Sequence, residues 1–180
     1  MLAKILSAAA LVAAPVPVQP VYIDYPLVEK VVCDLGTGSA FVAAGKIISV
    51  DHVTSNSGCE INGVTLVAAK EQGKDFSTAP AHVYGYAIDC EGFKENEIYW
   101  AVGAARGGPE RVLMVVGTGV VSNGWAVLYG SPVYIPGMSG GPVFGNDGRV
   151  VGVVNAYSLQ HPLSFSVQMK DTELCRSDRA

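Results

Sequence analysis

Apolar positions in this chain come in short, valine-rich runs separated by glycine, proline, asparagine and aspartate. Runs of that length between turn residues read as β-strands. Glu29–Val32 is the first. Cys33 to Gly38 turns into Ser39–Ala43, and Ala44-Gly45-Lys46 turns again into Ile47–Val50, a hairpin with an apolar second arm. Glu60–Ala68 reads as a strand pair about Asn62-Gly63, a tight-turn signal. Ile98–Gly103 is a clear strand, and the glycine-rich stretch from Ala104 to Glu110 is the best boundary in the chain. Beyond it strands are predicted at Val112–Val116, Gly119–Ser122, Trp125–Tyr129, Val133–Ile135, Pro142–Phe144, Val150–Asn155 and Ser164–Gln168. Hairpin turns are predicted at Asn123-Gly124 and Asn146-Asp147-Gly148, and a short C-terminal helix over Met169–Arg176. Two sets of short strands flanking one linker predict an all-β chain of two small barrels, 21–103 and 104–180.

Composition narrows the function. The chain has 180 residues, 49% hydrophobic and 16% charged, enough apolar material for a sizeable core. A net charge of −4 without a basic stripe gives nucleic-acid binding no electrostatic support. Cys33, Cys59, Cys90 and Cys175 form no C-x-x-C pair and only three histidines are present, so neither a metal nor a cofactor is expected. Four cysteines allow three disulfide connectivities, with free buried thiols as the alternative. Cys59 and Cys90 fall in the same predicted barrel and are the expected pair, which leaves Cys33 with Cys175. Met1–Ala14, a lysine and then an apolar run, resembles a secretory signal, and Pro15, Pro17 and Pro20 extend it as a tether. A secreted or periplasmic chain is expected, in a compartment that permits disulfides. An uncleaved leader is the only route to a membrane.

The chemistry gathers at Ile135-Pro136-Gly137-Met138-Ser139-Gly140-Gly141-Pro142-Val143-Phe144. Glycines on both sides expose the one hydroxyl and let another strand come close, and they turn backbone amides to one side. A nucleophile beside an oxyanion hole is the equipment of acyl transfer. His52 stands where a strand hands over to a loop, a position that suits a catalytic group. Asp75 stands at a strand start, with Asp89 as the rival carboxylate. His82 and His161 read as surface residues, and Trp100 and Trp125 as core. The serine loop also fits a nucleophile elbow, but that fold needs a helix directly after the serine and an acid and histidine downstream. Pro142-Val143-Phe144 is no such helix, and only His161 follows.

The order His52, Asp75, Ser139 completes the picture. The chain resembles a trypsin-like serine protease of chymotrypsin fold, and within that clan is most similar to bacterial high-temperature-requirement proteases. Gly38-Ser39-Ala40-Phe41-Val42 with Ile48-Ser49-Val50-Asp51-His52-Val53 resembles the histidine block, and Asp75-Phe76-Ser77 the aspartate block. Gly137-Met138-Ser139-Gly140-Gly141-Pro142 resembles the serine block. Asp147–Val153 and Ser164–Val167 resemble the closing strands. The resemblance runs from about Gly36 to about Lys170.

It implies two six-stranded antiparallel Greek-key barrels with the site in the cleft between them. It also implies a serine endopeptidase acting on protein or peptide substrates: Ser139 as nucleophile, His52 as base, Asp75 as its orienting acid, and the Gly137 and Ser139 amides as the oxyanion hole. One wall of the specificity pocket would come from Val133 and Ile135 and the other from Val153, Val154, Asn155 and Ala156. Val133, six residues before the serine, stands where members with basic specificity carry an aspartate, so a small or medium apolar P1 side chain is expected. The alternatives are a catalytically silent protein-binding domain, or an esterase or acyltransferase on the same fold. Zymogen-activated relatives carry an aspartate before the serine to bind a freed N-terminus, and Met138 cannot make that ion pair. Cleavage near Pro20 is therefore expected not to switch activity on. An inactive full-length chain that gains peptidase activity when trimmed there would contradict this.

Overall fold

The computed structural model describes residues 21–23, 26–107, 111–122, 125–129, 135–157 and 163–176. The leader at 1–20, the Asn123-Gly124 turn, Val133 and His161 lie outside the described residues. The chain begins with β1 (Val21–Ile23), β2 (Val28–Cys33), β3 (Gly36–Ala43) and β4 (Lys46–Ser49), then the one-turn helix α1 (Asp51–Thr54). It continues through β5 (Glu60–Ile61), β6 (Val64–Thr65), β7 (Ala69–Lys70), β8 (Ser77–Pro80) and β9 (Ile98–Gly103). After a 3-10 turn at Ala105–Gly107 come β10 (Arg111–Ser122), β11 (Trp125–Tyr129), β12 (Pro142–Phe144), β13 (Val150–Tyr157) and β14 (Leu163–Gln168). A 3-10 turn at Met169–Asp171 leads into α2 (Glu173–Arg176), so the expected C-terminal helix is split in two.

The strands form two seven-stranded antiparallel sheets, the chymotrypsin-like fold. The first runs β6-β5-β2-β3-β4-β8-β7. In the second, β9 pairs with both β12 and β10, so six strands close into a ring and β1 adds to the edge of β10. Local chemistry accounts for the turns. Ala44 and Gly45 both have positive φ (48° and 71°), as do Asn62 and Gly63 (51° and 75°). Paired left-handed residues are what a two-residue hairpin of the right twist needs.

Several expectations are corrected. β9 was expected in the first barrel, but both its edges pair within the second sheet. The glycine-rich stretch after it joins the antiparallel neighbours β9 and β10, so the division falls before Ile98 rather than after Gly103. The strands expected at Val112–Val116 and Gly119–Ser122 are one, β10, whose register with β11 shifts between Thr118 and Val121. Trp125 is exposed rather than core, and Trp100 is half-buried against the first core cluster. The disulfides are Cys33–Cys59 and Cys90–Cys175, not the expected pairing. The cause of the first is register: β2 pairs β5 at Val32 and Glu60, which sets the next residues, Cys33 and Cys59, side by side.

Two apolar clusters hold this together. One fills the second barrel with Phe93, Tyr99, Ala101, Leu128, Met138, Val143 and Val154. The other starts inside the first sheet at Val31, Phe41, Ile48 and Phe76, then continues into Val102, Val150, Val153, Val167 and Met169 of the second. The halves therefore share a core. Phe41 has no solvent exposure at the centre of that shared cluster. Phe41→Ala is expected to cost about 4 kcal/mol through lost burial and the cavity left behind, read as a fall in the urea midpoint.

Candidate active site

The serine loop sits where the halves press against each other. The Ser39 amide of β3 donates to the Ser139 carbonyl at 2.7 Å. A Cβ at Gly140 would lie 2.0 Å from the Ser39 carbonyl oxygen, and one at Gly141 would lie 2.0 Å from that of Val102. Gly140 also has φ +91°. The glycines after the serine are therefore demanded by close backbone approach and, at Gly140, by conformation as well.

His52 is carried by α1, directly after β4, and its backbone amide donates to Asp75 Oδ1 at 2.8 Å. Its ring Nδ1 lies 2.6 Å from Asp75 Oδ2. Two bonds to one carboxylate fix both the helix and the ring. A carboxylate only accepts, so in the neutral imidazole the proton sits on Nδ1 and Nε2 carries the free lone pair. Asn155 of β13 donates from Nδ2 to Asp75 Oδ2 at 2.5 Å. Burial by itself pushes the Asp75 carboxyl up. The hydrogen bonds from the His52 ring and amide, the His52 charge and the Asn155 amide outweigh it, and bring the group from its ordinary 3.8 to about 2.

Ser139 and His52 line one cavity of about 160 Å³, together with Cys33, Leu35, Gly36, Thr37, Val53 and Asn56. The Ser139 hydroxyl donates to the Asn155 carbonyl at 2.9 Å. The loop amides divide cleanly. Met138 N donates to Ile135 O at 3.0 Å, Gly140 N to Val154 O at 2.7 Å and Gly141 N to Met138 O at 2.9 Å. The Gly137 and Ser139 amides, the two expected to form the oxyanion hole, have no acceptor among the described residues. Both residues are half-buried, so these two donors are open to an external acceptor such as an oxyanion.

The expected pocket walls are distributed differently. Val153 and Val154 are fully buried, one in the shared core and one inside the second barrel. Adjacent residues of a strand point to opposite faces, and both faces of β13 are covered here. Ile135 is half-buried, Ala156 is exposed, and Asn155 turns to Asp75. Asp89 accepts from the Glu91 amide at 2.7 Å, a local turn. Met138 is fully buried in the second barrel. Sequence reasoning missed Ser39, whose only signal was a lone polar residue in an otherwise apolar strand. It also missed the contact between Asn155 and Asp75. Among the described residues no three His, Cys, Asp or Glu side chains converge as a metal site requires.

The depressed Asp75 group has a consequence for stability. The folded state binds fewer protons there than the unfolded state, so its contribution is whole above 3.8 and is lost as pH falls through about 2. Urea midpoints measured from pH 5 to pH 2 are expected to fall less steeply for Asp75→Asn than for the wild-type chain. Equal slopes would contradict the assignment.

No protein-family model matches the sequence, and no curated protein matches it. Solved structures do. The Rv3671c protease of M. tuberculosis, in its inactive form, superposes with a TM-score of 0.66 at 17% identity, covering 85% of this chain and 88% of that one. A serine endoprotease from Yersinia pestis gives 0.65 at 14% identity, covering 79% of this chain and 58% of its own. A Glu endopeptidase gives 0.67 at 13% identity, covering 85% and 88%. At such identities the likeness is one of fold: the chain has the chymotrypsin-like fold of the trypsin-like serine proteases.

Proposed function

We propose that the chain is a serine endopeptidase that cleaves peptide bonds through an acyl-enzyme, with Ser139 as nucleophile, His52 as base and Asp75 as its orienting acid. The observation that carries this reading is the doubly bonded His52–Asp75 pair, whose histidine lines the same cavity as Ser139. A serine hydroxyl is a weak nucleophile at its free pKa. It must turn from the Asn155 carbonyl toward His52 Nε2, which takes its proton as Oγ attacks the carbonyl carbon and later gives it to the leaving amine. Asp75 holds the tautomer and offsets the imidazolium charge. The Gly137 and Ser139 amides receive the oxyanion. Water then cleaves the ester by the same proton relay in reverse.

The substrate strand is assigned to β13. β12 begins at Pro142 opposite Val153, Val154 is bonded to Gly140 and Gly141, and Ser139 Oγ holds the Asn155 carbonyl. The edge open among the described residues is therefore Ala156–Tyr157, joined by the Asn155 carbonyl once the Ser139 hydroxyl turns to His52. An extended peptide adds to such an edge through its backbone. P1 preference is assigned to small or medium apolar side chains, since Val133 supplies no acid and Ile135 is apolar. Two disulfides fit a secreted or periplasmic setting.

The silent-domain reading rests on one observation, the Ser139 hydroxyl bonded to Asn155 rather than to His52. A fluorophosphonate probe separates the two. An assembled site is expected to label in the wild-type chain and not in Ser139→Ala or His52→Ala. Asp75→Asn is expected to lower the turnover of a peptide substrate on the order of 10⁴-fold by allowing the wrong tautomer. A folded wild-type chain that takes no label would favour the binding domain.

A further inference from the structure

Met138 stands where an activating ion pair would be anchored, yet it is buried among apolar side chains. The serine loop is instead gripped through its carbonyls. The Ser39 hydroxyl donates to the Gly137 carbonyl at 2.8 Å and accepts from the Ala104 amide at 2.8 Å. The Arg106 amide donates to the Pro136 carbonyl at 2.5 Å. A peptide unit is planar and its C=O and N–H point opposite ways. Holding the Pro136 oxygen on Arg106 therefore aims the Gly137 N–H away from Arg106, and holding the Gly137 oxygen on Ser39 locks the next plane. The two amide planes flanking Gly137 have no freedom left to flip.

We propose that the Ser39 hydroxyl is the positioning residue of the oxyanion loop, acting with the Arg106 amide in place of an ion pair. This rests on the serine-peptidase reading for its catalytic consequence, though not for its structural one. Ser39 suits the role because one hydroxyl donates and accepts at once. Its own amide and carbonyl are also tied, to Ser139 O and to Ser49 Oγ at 2.7 Å each. It has no solvent exposure, so no water can take over the lost bonds. A Cβ at Gly103 would come within 3.0 Å of Ser39 Oγ, so the oxygen is confined from that side too. Arg106 contributes from a left-handed turn, φ 52° and ψ 25°, a conformation uncommon outside glycine. Its side chain is exposed, and its part is the backbone amide. The Ala105–Gly107 turn after β9 and the serine loop are thus joined through Ser39, so the hole is built from both halves of the molecule.

The test compares wild type, Ser39→Ala and Thr172→Val. The last removes another buried hydroxyl, which bonds Met169 O and makes no bond to His52, Asp75 or Ser139. Ser39→Ala is expected to lower kcat for a peptide anilide, and the rate of fluorophosphonate labelling, by tenfold to a hundredfold (order of magnitude) with little change in KM. Thr172→Val is expected to lower Tm without changing kcat. Amide hydrogen exchange supplies a readout free of activity. Arg106 and Met138 are expected to exchange faster in Ser39→Ala than in wild type, at a temperature where both are folded. An unchanged kcat in a labelling-competent Ser39→Ala, or unchanged exchange at Arg106, overturns the proposal. A wild-type chain that takes no label while Ser39→Ala still loosens Arg106 sinks the peptidase reading and leaves the loop-holding role standing.

Discussion

Backbone contact between β3 and the serine loop is the constraint from which the site follows. Ser39 and Ser139 come from different halves of the molecule, and their main chains hydrogen-bond at 2.7 Å. No side chain fits between them at Gly140, nor between Val102 and the loop at Gly141. The loop is pressed against β3 and the end of β9 and takes its shape from both. A serine held this way is presented by two sheets at once, and its position reports how the halves are docked. The shared apolar cluster supplies that docking, with Phe41 and Ile48 from one sheet and Val102, Val153 and Val167 from the other.

The charged part of the site is assembled across the same seam. α1 and the turn before β8 provide His52 and Asp75, both from the first half. Asn155 reaches the carboxylate from the second half, and its own carbonyl receives the Ser139 hydroxyl. One residue thus touches both the carboxylate that holds His52 and the candidate nucleophile. Asp75 keeps 26% of its side chain in solvent, yet its donors hold it ionised far below the ordinary range. An acceptor-only carboxylate with several donors is a fixed anchor, and the imidazole it holds has one free nitrogen left for chemistry.

The periphery is tied down at two places. Cys33–Cys59 braces the segment after α1 against the end of β2, beside the cavity. Cys90–Cys175 brings the C-terminal helix onto the connector between the halves. Buried Glu71 adds to that second tie: it accepts from Lys74 Nζ at 2.7 Å and from the Glu173 amide at 3.0 Å. A carboxylate buried in this way is retained only where such donors meet it.

Local rules settled a good part of the architecture. Asn62-Gly63 turns where its left-handed preference says it should, Ala44-Gly45 turns where the glycine permits it, and β11 and β12 have the predicted bounds. Ser139 and His52 could be singled out because a glycine-flanked serine and a histidine at a strand end are local patterns, whereas Asp75, with Asp89 as its rival, was chosen only through the family resemblance. Everything that depended on which distant segments meet was decided by the tertiary structure. The cysteine pairing followed from the β2–β5 register, and the allegiance of β9 from its two long-range partners. Val153 and Val154 turned out to be core because both faces of β13 are covered, and an apolar residue looks the same in sequence whether it lines a pocket or fills a barrel. The parts played by Ser39 and Asn155 were not legible locally, since a buried polar side chain acquires its meaning only from partners 98 and 80 residues away.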